Sequence, residues 1–156
     1  AYFIYAFAIW DIFYYVFLKV CLNWPSSFFT WDLLFLIPWS WLGPVIAPLI
    51  CSVLFIVLAV LIINFSDKGK KVNFSPVEWT CFTVAVILVL YTWLIDYGRI
   101  IFSNNFYSSF LTLYSNPRFI EISSNYVPPN CNWLVFGAGI ILVIAGICSF
   151  YKRYKR

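Results

Sequence analysis

The sequence has no histidine and few charged residues, and each shortage excludes a class of protein. Charged residues make up 10% of the chain, whereas water-soluble domains carry about 25%. The mean hydropathy of +0.89 agrees with this shortage, so the composition predicts an integral membrane protein. Without histidine the chain lacks the usual ligand of haem, chlorophyll and zinc and the commonest general base. We therefore expect no metal site and no intrinsic cofactor.

Motifs for nucleotide binding and nucleophilic catalysis are also missing. There is no phosphate loop, dinucleotide fingerprint or nucleophile elbow, and no pair of neighbouring carboxylates inside an apolar run. The five cysteines show no C-x-x-C spacing, which argues against a metal site. The net charge of +4 comes from residues that flank apolar runs, so it does not indicate nucleic-acid binding. These absences predict a protein that is not an enzyme.

The longest uncharged run, residues 33–63, organises the rest of the chain. Its second part, 45–63, is long and apolar enough for one membrane-spanning helix. Its first part, 33–44, contains prolines, which remove an amide donor and disfavour helix in the preceding residue. Irregular backbone in a bilayer must lie at the interface or inside protein, so we predict an interfacial or re-entrant segment there. The residues of this break are Pro38, Trp39, Trp41, Gly43 and Pro44.

Three more apolar runs complete a predicted all-α bundle of four transmembrane helices. The predicted spans are about 2–22, 45–63, 77–97 and 133–150, within one membrane domain, 1–156. The first run lacks a basic leader and an A-x-A-like site, so we expect a span and not a signal peptide. In the 98–132 connection, apolar residues near helical spacing over 100–114 predict an amphipathic surface helix.

The distribution of basic residues predicts the orientation of the spans. On one side lie Lys68, Lys70, Lys71, Lys152, Arg153, Lys155 and Arg156, and on the other only Lys19, Arg99 and Arg118. Loops richer in Lys and Arg face the cytoplasm. The 64–76 loop and both termini are therefore predicted to be cytoplasmic.

Asp11 is the sharpest candidate for a functional residue, because an ionisable group inside a span is costly and often functional. Tyr14 and Tyr15 lie on the same side of the predicted helix, and a tyrosine hydroxyl could donate to the carboxylate. One interpretation is a proton-relay or ion-binding carboxylate. The other, which we favour, is a structural carboxylate hydrogen-bonded to a neighbouring helix or another subunit.

Two further patterns predict contacts within the bundle. Asp96 and Arg99 have the i, i+3 spacing of an ion pair at a helix end. In the fourth span, small residues seven positions apart form a stripe that permits close helix packing. That stripe consists of Ala138, Gly139, Ala145 and Gly146.

Cys21 and Cys131 are both predicted on the outer side, where an oxidising compartment would allow a disulfide. Free thiols throughout the chain are an equally good alternative.

Three functions fit these patterns, in decreasing order of support. The first is a small non-catalytic subunit of a larger membrane complex, such as an electron-transfer or photosynthetic assembly. Its partners would be membrane lipids and other subunits, and its aromatic residues, 23% of the chain, could contact lipid, quinone or pigment. The second is a small transporter or proton-conducting protein that uses Asp11, with the 33–44 break as a gate. The third is a lipid-acting enzyme built on Cys21 or Cys131 with Asp32.

Overall fold

The computed structural model describes residues 1–126, 128 and 130–155, with 108–111 described by their backbone alone. The elements are α1 (Tyr2–Leu22), β1 (Trp31–Phe35), β2 (Trp41–Pro44), α2 (Ile46–Asp67), α3 (Pro76–Ser103), a 3-10 helix (Phe106–Ser115), α4 (Pro117–Ser124) and α5 (Trp133–Lys155). The chain is mostly helical, and α1, α2, α3 and α5 are each long and apolar enough to cross a membrane. They fit the multi-pass membrane protein that the composition predicted.

The four long helices pack as two pairs. Helix α1 packs chiefly on α2, and α3 packs on α5, with α2 touching α5 to join the pairs. Helix α3 begins at a capping box, in which Ser75 accepts from the Glu78 amide and Glu78 accepts from the Ser75 amide. It continues beyond the predicted span because its last turns are buried against the 3-10 helix and α4. The bundle therefore extends past the apolar runs that the sequence marks.

The small-residue stripe of α5 divides between two faces. A Cβ added to Gly139 would lie 2.9 Å from Val89 Cγ2, and Gly146 is equally crowded by α3. Ala138 and Ala145 are exposed, because neighbouring helix positions point about 100° apart. Of the four stripe residues, the two glycines are the ones that lie against α3.

The 33–44 break, predicted as an interfacial or re-entrant segment, contains most of a β-hairpin. Strands β1 and β2 run antiparallel, with Asp32 opposite Gly43 and an irregularity between Leu33 and Phe35. The pairing gives hydrogen-bond partners to backbone groups that a broken helix would leave free. The Trp39 indole donates to the Leu94 carbonyl of α3 at 2.9 Å, while Pro38 lies in the connection between the strands. The hairpin therefore rests on α3.

Residues 100–114 do not form the single amphipathic helix that the sequence predicted. Helix α3 continues to Ser103, Asn105 adopts a left-handed conformation with φ 58°, and a 3-10 helix follows. Phe106 and Leu113 are buried in a cluster with the end of α3 and with Phe119 of α4. The apolar spacing thus marks residues that cover the end of α3. The prediction also includes the side chains of residues 108–111, which lie outside the described part of the chain.

The predicted ion pair between Asp96 and Arg99 is not formed. Asp96 is buried and accepts a hydrogen bond from the Tyr126 hydroxyl at 2.9 Å, whereas Arg99 is exposed. The segment after α4 folds back over α3 and supplies a donor on the buried side of the helix. Burial, and then the bond to Asp96, raise the pKa of Tyr126 to about 12.

Tyr126 is expected to keep its proton up to about pH 12, above the value of about 10 for a free tyrosine. Because the folded-state pKa is raised, the contact stabilises the fold fully below about pH 10 and loses its contribution as the pH rises through 12. A pH titration of ¹³C-labelled tyrosine, with the Tyr126 signal assigned from Tyr126→Phe, measures this. A midpoint near that of a free tyrosine would contradict the contact.

The opposite end of the bundle, which we call the basic end, joins the 64–76 loop to the last turns of α5. Arg153 forms an ion pair with Glu78, with 2.7 Å between Nη2 and Oε2. Lys70 donates to the Tyr154 carbonyl, and the Asn73 amide donates to the Tyr154 hydroxyl at 2.8 Å. Both basic clusters therefore lie at the same end, as the charge distribution predicted. Arg156 lies outside the described residues.

Candidate functional site

A cavity of about 420 Å³ lies between the two helix pairs. Its walls come from α1, α2 and α3, with two residues of α5. The hairpin of β1 and β2 lines one end. It exists because α1 packs on α2 while α3 packs on α5, which leaves space between α1 and α3. Most lining residues are apolar or aromatic. The polar and aromatic ones are Phe7, Trp10, Asp11, Tyr14, Tyr15, Asp32, Phe35, Trp41, Cys51, Ser52, Phe55 and Trp93.

Asp11 lines this cavity and is also bonded to a neighbouring helix. Its Oδ2 accepts a hydrogen bond from Ser52 Oγ of α2 at 2.8 Å. Ala8, one turn earlier, is fully buried, so its small side chain lets α2 approach this face of α1. The bond is the contact that a structural carboxylate would make, yet Asp11 remains part of the cavity wall.

The tyrosine hydroxyl near Asp11 is bonded to a different carboxylate. Tyr15 donates to Asp32 Oδ2 at 2.9 Å, and Asp32 Oδ1 accepts from the Leu33 amide at 2.8 Å. Tyr14 is exposed and lies against Trp10 at the cavity wall, with ring centroids 5.8 Å apart. The structure thus brings Asp11, Tyr14 and Tyr15 to one cavity and adds Asp32.

Two tryptophans of the cavity wall have indole N–H groups without a partner. Trp41 and Trp93 stack with ring centroids 6.1 Å apart. Both indole nitrogens are buried, and neither has an acceptor within the described part of the chain. Gly43 makes room for them, since a Cβ there would lie 3.0 Å from Trp93 Cδ1. Two buried donors beside the cavity therefore have no acceptor among the described residues.

Neither carboxylate of the cavity has a basic partner among the described residues. The ion pair found in that part of the chain joins Glu78 and Arg153 at the basic end. Lys19, the basic residue of α1, donates to the Pro25 carbonyl at 3.0 Å. The cavity is therefore acidic as well as apolar.

Sequence reasoning missed Ser52 and Trp93 as members of this site. A lone hydroxyl beside Cys51 in the most apolar span is a signal that could have marked Ser52. Trp93 carries no such signal, because tryptophan is common in this chain and its missing partner is a property of the folded structure.

The cysteines form neither the Cys21–Cys131 disulfide nor a contact with Asp32 among the described residues. Cys21 and Cys131 are free thiols, as are the other three. Cys21 is exposed on the last turn of α1, whereas Cys131 precedes α5, which packs on α3. In the described part of the chain, Asp32 bonds to Tyr15 and to Leu33, and neither thiol is its partner.

No protein-family model, curated protein or solved structure matches this chain. Among the described residues, no three His, Cys, Asp or Glu side chains converge as a metal site would require.

Proposed function

We propose that this protein is a small, non-catalytic membrane subunit that packs into a larger membrane complex and helps to stabilise it. The observation that supports this proposal is the exposed face of α1. Only Ala8 and Tyr15 of α1 are buried, and its large aromatic residues are exposed. These are Tyr2, Phe3, Tyr5, Phe7, Trp10, Phe13, Tyr14 and Phe17.

The rings of α1 are ordered against one another, which suits a protein partner better than mobile lipid. Phe3, Phe7, Trp10 and Tyr14 form a ladder with successive ring centroids 6.4, 6.2 and 5.8 Å apart. Aromatic side chains dominate the binding energy of protein interfaces and lose little entropy there. The occupant of this face would be an apolar helix of another subunit. In an electron-transfer or photosynthetic assembly, the same rings would also contact quinone or pigment.

The test compares two pairs of exposed residues on different helices. Phe13 and Phe17 lie on α1 with ring centroids 6.1 Å apart, and Ile141 and Ile144 are exposed on α5. We expect the wild-type chain, extracted in mild detergent, to have the native mass of a hetero-complex. Phe13→Ala with Phe17→Ala should reduce the assembled fraction about tenfold, since two lost aromatic contacts remove more than about 1.4 kcal/mol.

Ile141→Ala with Ile144→Ala is the matched control and should leave the assembled fraction unchanged. A wild-type chain that is only monomeric or homodimeric would contradict the proposal. Equal losses in the two variants would show that α1 is not the interface.

The orientation is part of the same proposal, with both termini in the cytoplasm. It is supported by the excess of Lys and Arg at the basic end. A fluorescent reporter that folds only in the cytoplasm, fused after the C-terminus, should fluoresce. A reporter that is active only outside the cytoplasm should be inactive there and active when inserted at Asn125, in the connection at the hairpin end.

The second candidate is proton or ion conduction, favoured by the position of Asp11 in the cavity wall. The hairpin that would act as the gate is attached to α3 by Trp39 and to the 3-10 helix by a 3.0 Å bond between Ser40 and Tyr114. In liposomes, Asp11→Asn should abolish flux through a conducting protein, and Asp67→Asn, at an exposed site, should not. No flux in the wild type would exclude this candidate.

A further inference from the structure

The basic end of the bundle carries more positive charge than its acidic residues neutralise. Two acidic residues lie there, Asp67 and Glu78, and Glu78 is already paired with Arg153 at 2.7 Å. Six basic residues of the described chain lie at the same end, an excess of four positive charges over the two negative ones. They are Lys68, Lys70, Lys71, Lys152, Arg153 and Lys155.

The tertiary structure holds the two basic segments against each other, although they are far apart in the sequence. Lys70 donates to the Tyr154 carbonyl, and the Tyr154 hydroxyl donates to the Lys71 carbonyl at 3.0 Å. The Tyr154 ring also packs on Phe65 at the end of α2, with ring centroids 5.4 Å apart. The lysines of the 64–76 loop and of α5 therefore form one charged surface.

Most of the basic side chains on this surface are available to an anion from outside the chain. Two of the six are used within the fold, since Lys70 bonds to the Tyr154 carbonyl and Arg153 pairs with Glu78. The other four are exposed and have no ion-pair partner among the described residues. These four are Lys68, Lys71, Lys152 and Lys155.

The aromatic residues of α5 place these lysines at the depth of lipid headgroups. Trp133 and Tyr151 are exposed near the two ends of α5, and such rings mark the two membrane–water interfaces. From Trp133 to Tyr151 a helix rises about 27 Å, close to the hydrocarbon thickness of about 30 Å. Lys152 and Lys155 follow directly, and Lys155 Nζ lies 5.5 Å from the Tyr151 ring centroid.

We propose that the basic end binds anionic phospholipid, with the lipid phosphate held between the 64–76 loop and the last turn of α5. Lipid of no net charge also offers a phosphate, but its ammonium group would be repelled by the uncompensated lysines. Clusters of four to eight basic residues beside a membrane span are typical of surfaces that recognise anionic lipid. This inference depends neither on the partner subunits nor on which side of the membrane the basic end faces.

The experiment compares two lipids that differ only in the headgroup. Dioleoylphosphatidylglycerol and dioleoylphosphatidylcholine are added to the purified protein in a neutral detergent, and native mass spectrometry measures the bound fractions. We expect the anionic lipid to bind about tenfold more tightly. Raising the ammonium acetate from about 0.1 M to about 1 M shortens the screening length from about 10 to about 3 Å, and the preference should fall to about twofold.

Variants assign the preference to the two basic segments. Lys152→Gln with Lys155→Gln removes half of the available charge, so the preference should fall to about threefold. Lys68→Gln with Lys71→Gln should have the same effect, and the four changes together should abolish the preference. All four positions are exposed, so the helix content should be unchanged.

Arg99→Gln with Arg118→Gln is the matched control, because it removes the same charge from exposed positions outside the basic end. It should keep the full preference. Glycerophosphoglycerol, the anionic headgroup without acyl chains, should not bind at the same concentration. The proposal is overturned if the two lipids bind equally to the wild type, if the control lowers the preference as much as the lysine pairs, or if the free headgroup binds as tightly as the lipid.

Discussion

Gly139→Leu is expected to separate α3 from α5 and to have the largest effect on folding. The first added atom alone would lie 2.9 Å from Val89 Cγ2 and 3.2 Å from the Ala85 carbonyl oxygen. The backbone oxygen cannot rotate away, so the helices must move apart. Overpacking of this kind destabilises by about 3 kcal/mol. The fraction of folded protein recovered in detergent, and its thermal midpoint, measure the loss.

Ala138→Leu is the matched control, one residue earlier on the exposed face. It adds a similar side chain to the same helix and should leave the thermal midpoint within about 2 °C of the wild type, because surface substitutions seldom exceed about 0.5 kcal/mol. If both variants were equally stable, α3 and α5 would not pack as closely as the structure shows.

Arg153→Leu is expected to produce the second largest loss, because it leaves the carboxylate of Glu78 buried without its cation. Arg153 contacts both carboxylate oxygens, at 3.1 and 2.7 Å. Its own side chain is 36% exposed, so solvent screening keeps the loss below that of a fully buried pair, at about 2 kcal/mol. The thermal midpoint should fall by about 4–8 °C.

The double variant Arg153→Leu with Glu78→Leu should recover part of that loss, although it also removes the Glu78 acceptor of the capping box. Two apolar residues can replace a buried ion pair at little cost, whereas removal of one partner leaves a charge uncompensated. Lys152→Leu, at the exposed neighbouring position, is the control and should have no effect. Additive losses in the double variant would contradict a coupled pair between α3 and α5.

The number of helices long and apolar enough to cross a membrane followed directly from the sequence, because length and apolar content are local properties. The run 45–63 predicted α2, and the lysines of the 64–76 loop predicted that this loop and the C-terminal end of α5 share one side. The Glu78–Arg153 contact joins these two segments. Glycine spacing also predicted close packing in α5, although the neighbouring alanines belong to another face.

The hairpin did not follow from the sequence in the same way. Proline and glycine marked 33–44 as unable to continue a helix, but they did not indicate where its backbone groups find partners. The pairing of Asp32 with Gly43 depends on a turn and on support from α3. Asp96 shows the same limit of prediction from sequence. The sequence shows its i+3 neighbour, Arg99, but the hydrogen-bond donor to Asp96 is Tyr126, which lies on a separate segment.

The sequence by itself determined that this chain has four helices long and apolar enough to cross a membrane. Scarcity of charge and continuous apolar runs suffice for that conclusion, since each helix satisfies its own backbone wherever it lies. Only the tertiary structure decided that Asp11, Asp32, Trp41 and Trp93 line one cavity. These residues come from four elements, α1, β1, β2 and α3, and their proximity depends on which helices pack together, a choice that apolar surfaces of similar composition leave open.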